Sequence, residues 1–296
     1  MTAAHSSDPV AWAARELAGC GVESARLEAQ LLLALTLGAT RTAVVAGLHR
    51  PLDSADRARF EALVAARCAR TPLAYLRGTQ EFYGLEFEVG PAVLIPRPET
   101  EMLVDFAREA LTSAGAVGQR PMVADVGTGS GCIAVAVLHH APAARGLALD
   151  ISPSALTVAR GNAARHAVIS RLGFVRSDLL SGVASGSLNL VLSNPPYIPT
   201  GGLAGLQPEV RDAEPRSALD GGPDGLEFYR RLAPQARRCL TAGGSVAVEV
   251  GQGQAPGVAD IFECAGLTDI DLRRDLAGIE RVVIGRNAGY RVPGIG

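Results

Sequence analysis

An α/β fold, its larger part a mostly parallel seven-stranded sheet ending in an antiparallel edge, is predicted for this sequence, with a small helical bundle and a β-hairpin ahead of it. Three observations predict it. Residues 8–70 carry helical periodicity in Ala-, Leu- and Arg-rich text, residues 75–90 alternate apolar and polar about one glycine, and beyond Gly118 short apolar runs alternate with helical segments. Strands that alternate with helices favour a parallel sheet covered on both faces.

Within the first region, "SARLEAQLLLALTLG" is apolar nearly all round, and "DSADRARFEALVAARCAR" places Phe60, Leu63 and Val64 on one face behind Asp53, a residue type that caps helix N-termini. "YLRGTQEFYGLEFEVG" then reads as a hairpin turning at Gly84. Pro96 and Pro98 punctuate the chain, and Pro98 with Glu99 and Glu101 opens a helix, because proline suits the first helical position and acids suit the positive end of the helix dipole. The strands follow at Met122–Asp125, Gly146–Asp150, Gly173–Arg176, Leu188–Ser193 and Ser245–Val250, with a closing antiparallel pair near Asp269–Arg273 and Arg281–Gly285. The domain organisation expected is a helical docking domain at residues 1–75, a hairpin linker at 76–97 and a catalytic domain at 98–296.

Composition excludes several chemistries. Twenty-eight basic and thirty acidic residues give a net charge of −2, so no global positive field draws the chain to nucleic acid or to an anionic membrane. Every basic residue is arginine, which removes lysine Schiff bases, lysine general bases and the phosphate-loop lysine. The five cysteines are scattered and the His139–His140 pair has no ligand spacing, so reduced, buried thiols and no metal are expected. With no signal pattern and no apolar stretch of about 18 residues, the cytoplasm is expected, and the chain is taken to act as a monomer.

"VADVGTGSGCIAVAVL" runs from strand through Gly127, Gly129 and Gly131 into an apolar helix, a turn in which backbone amides at a helix N-terminus can meet a ligand. By itself it is also consistent with a plain tight turn. Asp150 ends the next strand, where a carboxylate can accept from ribose hydroxyls, and Ser177–Asp178–Leu179 follows the third, with an acid for an adenine amino group and an apolar face beside it. A nicotinamide dinucleotide would require glycine where Cys132 stands. S-adenosylmethionine, which has a nucleoside and a zwitterionic amino acid but no pyrophosphate, fits better, with Asp125 available to its ammonium group.

"SNPPYIP" ends the fourth strand. An amide or exocyclic amine nitrogen is a poor nucleophile because its lone pair is delocalised. A flat NH₂ can be held by two acceptors, the Asn194 side-chain oxygen and the Pro195 carbonyl, kept rigid by the two prolines. Tyr197 is expected to cover the acceptor and a sulfonium by stacking and cation–π attraction. Positioning then supplies most of the catalysis, with no dedicated general base.

"DVGTGSG", "ALDISPSAL" and "SNPPYI" resemble the Rossmann-like class I S-adenosylmethionine-dependent methyltransferases of the N-P-P-Y, amino-methylating kind. "PLAYLRGTQEFYGLEFEVGPAVLIPRPETE", "EPRSALDGGPDGLEFYRRL" and "VEVGQGQ" resemble the bacterial release factor glutamine methyltransferases over nearly the whole chain. The resemblance implies methylation of the glutamine amide nitrogen in the Gly-Gly-Gln loop of class 1 peptide chain release factors, with S-adenosyl-L-homocysteine as the other product. It also implies cofactor contacts at Gly127, Thr128, Gly129, Ser130, Gly131, Asp150, Leu179 and Asn194, with Asn194, Pro195, Pro196 and Tyr197 on the glutamine. Leu179 departs from relatives that carry an aromatic there, and Arg97, Glu99, Glu101, Glu214 and Gln254 are placed near the site, the domain junction or a helix cap. Two other functions share the clamp: an N6-adenine methyltransferase, which would need a basic target-binding region that is not evident, and the ribosomal-protein glutamine methyltransferases, which match "LIPRPETE" less well. A catalytically idle docking module is the alternative from outside the enzymes.

Overall fold

Residues 8–113 and 120–289 are described by a computed structural model of the chain. They divide into two units, one taking in the described residues up to Thr79 together with Gln207–Ala213, the other Gln80–Leu206 together with the described residues from Glu214.

The first unit is built from α1 (Pro9–Gly19), α2 (Ala25–Leu37), α3 (Arg41–Val45), α4 (Ser54–Cys68) and α5 (Leu73–Arg77). Asp53 caps α4 as expected: its side chain accepts from the Asp56 amide while the Asp56 carboxylate accepts from the Asp53 amide, so two otherwise unpaired donors are satisfied. Ala13, Leu17, Leu32, Leu33, Phe60 and Val64 close the core of this unit, and each such leucine or phenylalanine contributes about 1.5–3 kcal/mol of burial. Near α5 the sequence separation becomes large. Arg67, with a side chain 8% exposed, pairs with Glu28 and with Glu209 at 2.9 Å, and this tethers a short helix, α9 (Pro208–Arg211), to the helical unit.

The hairpin, all but its first residue in the second unit, consists of β1 (Thr79–Phe82) and β2 (Leu85–Glu88), joined through Tyr83 and Gly84 at φ +53° and +73°. Positive φ at both central residues is what a two-residue hairpin turn matching strand twist requires. A single turn of 3-10 helix at Pro98–Thr100 leads into α6 (Glu101–Ser113). The remaining elements are β3 (Met122–Val126), α7 (Cys132–His140), β4 (Arg145–Asp150), α8 (Pro153–Arg165), β5 (Leu172–Arg176), β6 (Leu188–Ser193), α10 (Glu227–Cys239), β7 (Leu240–Glu249), α11 (Ala255–Cys264), β8 (Thr268–Arg274) and β9 (Glu280–Arg286). The sheet order is β5-β4-β3-β6-β7-β9-β8. Pairing is parallel from β5 to β7 and antiparallel for β9 with both neighbours.

The strands lie where the sequence places them, except that β7 begins five residues earlier, at Leu240 against the expected Ser245. A bulge between Leu188 and Leu190 takes up the extra length across Gly243–Gly244. Apolar clusters cover both sheet faces, Ile133, Val135 and Leu138 of α7 on one and Tyr229, Leu232 and Ala236 of α10 on the other. All five cysteines are free; Cys132 and Cys239 are buried, Cys20 and Cys68 partly so, and Cys264 at the end of α11 is exposed, so the expectation of buried thiols holds for only two of them. Among the described residues no helix is long and apolar enough to cross a membrane, and no group of three or more His, Cys, Asp or Glu is placed to hold a metal.

Candidate active site

The order β5-β4-β3-β6 places successive crossovers on opposite sides of β3, and in open parallel sheets the crevice at the carboxyl ends of such strands is where ligands bind. A cavity of about 300 Å³ lies there. Its wall takes Gly127, Thr128, Gly129 and Ser130 after β3, Asp150 and Ile151 after β4, Asp178 and Leu179 after β5, and Asn194 and Pro196 after β6.

The glycine turn follows from local geometry. Gly127, Gly129 and Gly131 have φ of +72°, +53° and +80°, values that L side chains rarely adopt. A Cβ at Gly127 would meet nothing within 4 Å, whereas one at Gly131 would stand 3.0 Å from the Ala159 Cβ and 3.1 Å from its Cα. Gly131 is thus a packing residue that lets α8 approach α7, and it is absent from the cavity wall.

Asp150 is held from two sides, one carboxylate oxygen accepting from the Gly129 amide at 3.0 Å and the other from the Ser152 amide at 2.9 Å. Each oxygen retains a lone pair for a further donor, as two hydroxyls on neighbouring carbons would supply. Asp178 lines the cavity while one oxygen pairs with Arg231, and Leu179, at φ +52° and nearly buried, presents an aliphatic surface.

Asp125 corrects an expectation. It is fully buried beneath the turn and off the cavity wall, with one oxygen accepting from the Thr128 hydroxyl at 2.7 Å and the Ala134 amide at 3.1 Å. It therefore satisfies a donor in the first turn of α7, where an acid also favours the helix dipole. Its other oxygen has no partner, and burial raises its pKa to about 6.

The four residues of Asn-Pro-Pro-Tyr do not share one face either. Asn194 and Pro196 line the cavity, while Pro195 is buried and Tyr197 turns its hydroxyl 3.4 Å from a Glu249 carboxylate oxygen. Prolines hold the segment extended, and along an extended chain successive side chains point to opposite sides. The turned-away Tyr197 is packed in by backbone. Gln254 donates to its carbonyl at 2.9 Å, and a Cβ on Gly225, at φ +76°, would come within 2.4 Å of the same oxygen.

Asn194 donates from Nδ2 to the Thr100 hydroxyl oxygen at 3.0 Å, and Thr100 in turn donates to Glu249 at 2.5 Å. Since the one hydroxyl hydrogen of Thr100 goes to Glu249, its oxygen can only accept from Asn194, and this assigns the NH₂ of the carboxamide to Thr100 and its Oδ1 to the cavity side. Glu249 is buried. Burial is the main cause that lifts its carboxyl to a pKa of about 7, against the lowering effect of the Thr100 bond. Burial likewise raises the Tyr197 phenol, with the Glu249 charge adding to it.

The strip Pro91–Pro96, which forms another part of the wall, is fastened by Glu214, whose oxygens accept from the Arg97 guanidinium at 2.5 Å and the Ile95 amide at 3.2 Å. Glu101 accepts from the Tyr83 amide at 2.8 Å, and so joins the hairpin to α6.

The family described as "PrmC N-terminal domain" matches residues 9–78, and that described as "Methyltransferase small domain" matches residues 100–204. The release factor glutamine methyltransferase of Geobacter sulfurreducens is 45% identical over 275 residues, covering 93% of this chain and 94% of that protein. That of Caulobacter vibrioides is 42% identical over 277 residues, covering 93% and 94%. The chain belongs to the release factor glutamine methyltransferase family. It is a methyltransferase, and its likeness to the hMettl16 catalytic domain, with TM-score 0.56 at 14% identity over 79% of this chain and 84% of that one, shows a shared fold.

Three residues in or beside this candidate site escape a reading of motifs. Thr100 and Glu249 stand 149 positions apart, and Phe228 of α10 reaches the cavity wall from the opposite sheet face. Each lies inside a quoted segment, "RPETE", "VEVGQ" and "GLEFY", but a lone hydroxyl, an acid at a strand end and a phenylalanine on an amphipathic helix carry no local mark of a site.

Proposed function

We propose that the chain methylates the side-chain amide nitrogen of the glutamine in the Gly-Gly-Gln loop of class 1 peptide chain release factors, with S-adenosyl-L-methionine as donor. One observation carries this reading: a carboxamide at the end of β6, fixed by Thr100 so that its oxygen borders the same cavity as the glycine turn and Asp150. Bound S-adenosylmethionine supplies an electrophilic methyl on a sulfonium. The residues present fit it, because the wall is open over Gly127 and the Asp150 oxygens keep free lone pairs after their two backbone bonds. Asp150 would take the ribose hydroxyls, Ile151, Leu179 and Phe228 the flat base, and the turn from Gly127 to Ser130 the amino-acid end.

The chain's own groups then act on the glutamine. Asn194 Oδ1 accepts one hydrogen of the glutamine NH₂ and the Pro195 carbonyl accepts the other, which fixes the nitrogen's plane and its approach. As the nitrogen gains the methyl, released from the donor's sulfonium with the bonding pair left on sulfur, it becomes positive, both acceptors stabilise that charge, and one N–H proton passes to solvent water to give the neutral N-methyl amide. Holding the nitrogen in line is the larger contribution, several kcal/mol on the scale of effective molarities. The helical unit, with a core of its own, serves as the docking surface for the body of the release factor, and the reaction belongs in the cytoplasm.

Purified release factor is incubated with the enzyme and labelled donor, and its peptides are mapped by mass. One methyl on the motif glutamine is expected. An unmodified motif peptide, or label on another residue, would overturn the reading.

A further inference from the structure

Glu249 is a buried acid that takes no part in the chemistry above, yet two of its neighbours lead to the reacting centre. Its Oε2 accepts from Thr100, which accepts from Asn194, and its Oε1 accepts from Tyr197, the third residue after Asn194. The Tyr229 hydroxyl donates to the Glu249 backbone carbonyl at 2.8 Å and fixes that end of β7. Such a chain has a direction. While Glu249 is an acceptor, the Thr100 hydrogen points at it, Thr100 has only lone pairs to offer Asn194, and the carboxamide must present NH₂ to Thr100 and oxygen to the cavity. If Glu249 instead donates to Thr100, the Thr100 hydrogen is released toward Asn194, and the carboxamide is satisfied only when turned over, with its NH₂ toward the cavity. An NH₂ there faces the hydrogens of the glutamine amide and holds nothing.

Resting on the proposed glutamine methylation, the geometry points to Glu249, acting through Thr100, as the positioning residue that decides which way the Asn194 carboxamide faces and so whether the clamp can grip its substrate. Neither Glu249 nor Thr100 touches the reacting atoms in this role. The charged and titratable groups about Glu249 are Glu99 ahead of α6, Arg281 of β9, Tyr197 after β6, Tyr229 of α10 and Cys132 of α7. Burial and Glu99 raise the carboxyl while Thr100, Tyr197 and Arg281 lower it, and the balance, about 7, lies where an assay can cross it.

Two measurements test this. In single-turnover methyl transfer to release factor, the wild-type rate is expected to fall on the acid side through an apparent pKa near that of Glu249. Glu249→Gln, which cannot ionise, is expected to lose that limb. Thr100→Val is expected to lower kcat by about tenfold or more, the scale of one lost orienting hydrogen bond, with cofactor affinity unchanged, while Thr100→Ser restores the rate. In parallel, the Asn194 side-chain NH₂ signals in the nitrogen-15 correlation spectrum, assigned by their absence in Asn194→Ala, are expected to titrate with Glu249 in the wild type and to stop doing so in Thr100→Val. Wild-type kcat in Thr100→Val, or an acid limb unchanged in Glu249→Gln, overturns the inference, as do Asn194 signals indifferent to both substitutions. A wild-type enzyme that leaves glutamine unmodified sinks the proposed function instead, and the spectrum still reports on the network.

Discussion

Replacing Asn194 by alanine isolates the carboxamide from everything else in the site. The substitution removes Oδ1 from the cavity wall and the Nδ2 donor that lies 3.0 Å from Thr100. The vacated space opens onto the existing cavity, so no sealed void forms, and the fold is expected to lose only about 1 kcal/mol for the Thr100 bond. The proposed holds on the cofactor, Asp150 and the glycine turn, belong to other strands of the cavity wall, so its dissociation constant is expected to stay within about threefold, well under 1 kcal/mol. Catalysis should suffer far more. An acceptor aimed at charge that develops only in the transition state contributes about 2.7–4 kcal/mol when its counterpart donors are removed from other enzymes, or about 10²–10³ in kcat. Single-turnover transfer of labelled methyl to release factor, with calorimetry for the cofactor, measures both quantities. A variant that keeps kcat within about tenfold of the wild type would show that the carboxamide does not grip the nitrogen.

Asp150→Ala should weaken cofactor binding by about 10²-fold or more, because it removes charged acceptors and frees the Gly129 and Ser152 amides, and an unchanged calorimetric constant would place the ribose elsewhere. Gly131→Ala combines φ of +80° with a 3.0 Å approach to Ala159, so urea unfolding should show a loss of about 2 kcal/mol or more, and wild-type stability would disprove the packing role. Gly225→Ala would press on the Tyr197 carbonyl, and is expected to lower kcat while cofactor affinity holds; full activity would show that the segment yields freely. Glu249 is protonated more readily in the folded chain, at about 7, than at its usual 4.5, so its part of the stability is greatest at acid pH and is lost as pH rises between those values, by about 3 kcal/mol. Urea titrations across that range should show stability falling with pH less steeply in Glu249→Gln, where Asp125, raised to about 6, still contributes and His140, lowered by burial, contributes with the opposite sign in both proteins; equal slopes would contradict the burial of the charge.

The amino-acid sequence by itself determined those features whose partners are close along the chain. The Asp53 cap closes over three residues and the hairpin turns on Tyr83 and Gly84, both legible because their hydrogen bonds join neighbours, while the strands, whose ladders pair distant residues, were legible from apolar runs set between helical ones. The glycine turn, Asp150 and Asn194 were legible because each sits at the end of a strand that the period of the sequence already marks. Tertiary structure alone decided the rest. It turned Asp125 under α7, sent Tyr197 away from the cavity wall, brought Phe228 to it, drew residues 207–213 into the helical unit through Arg67, and joined Thr100 to Glu249 across 149 positions. Contacts of that range leave no periodic trace, because what selects them is the shape and polarity of a buried space that exists only once the sheet has formed.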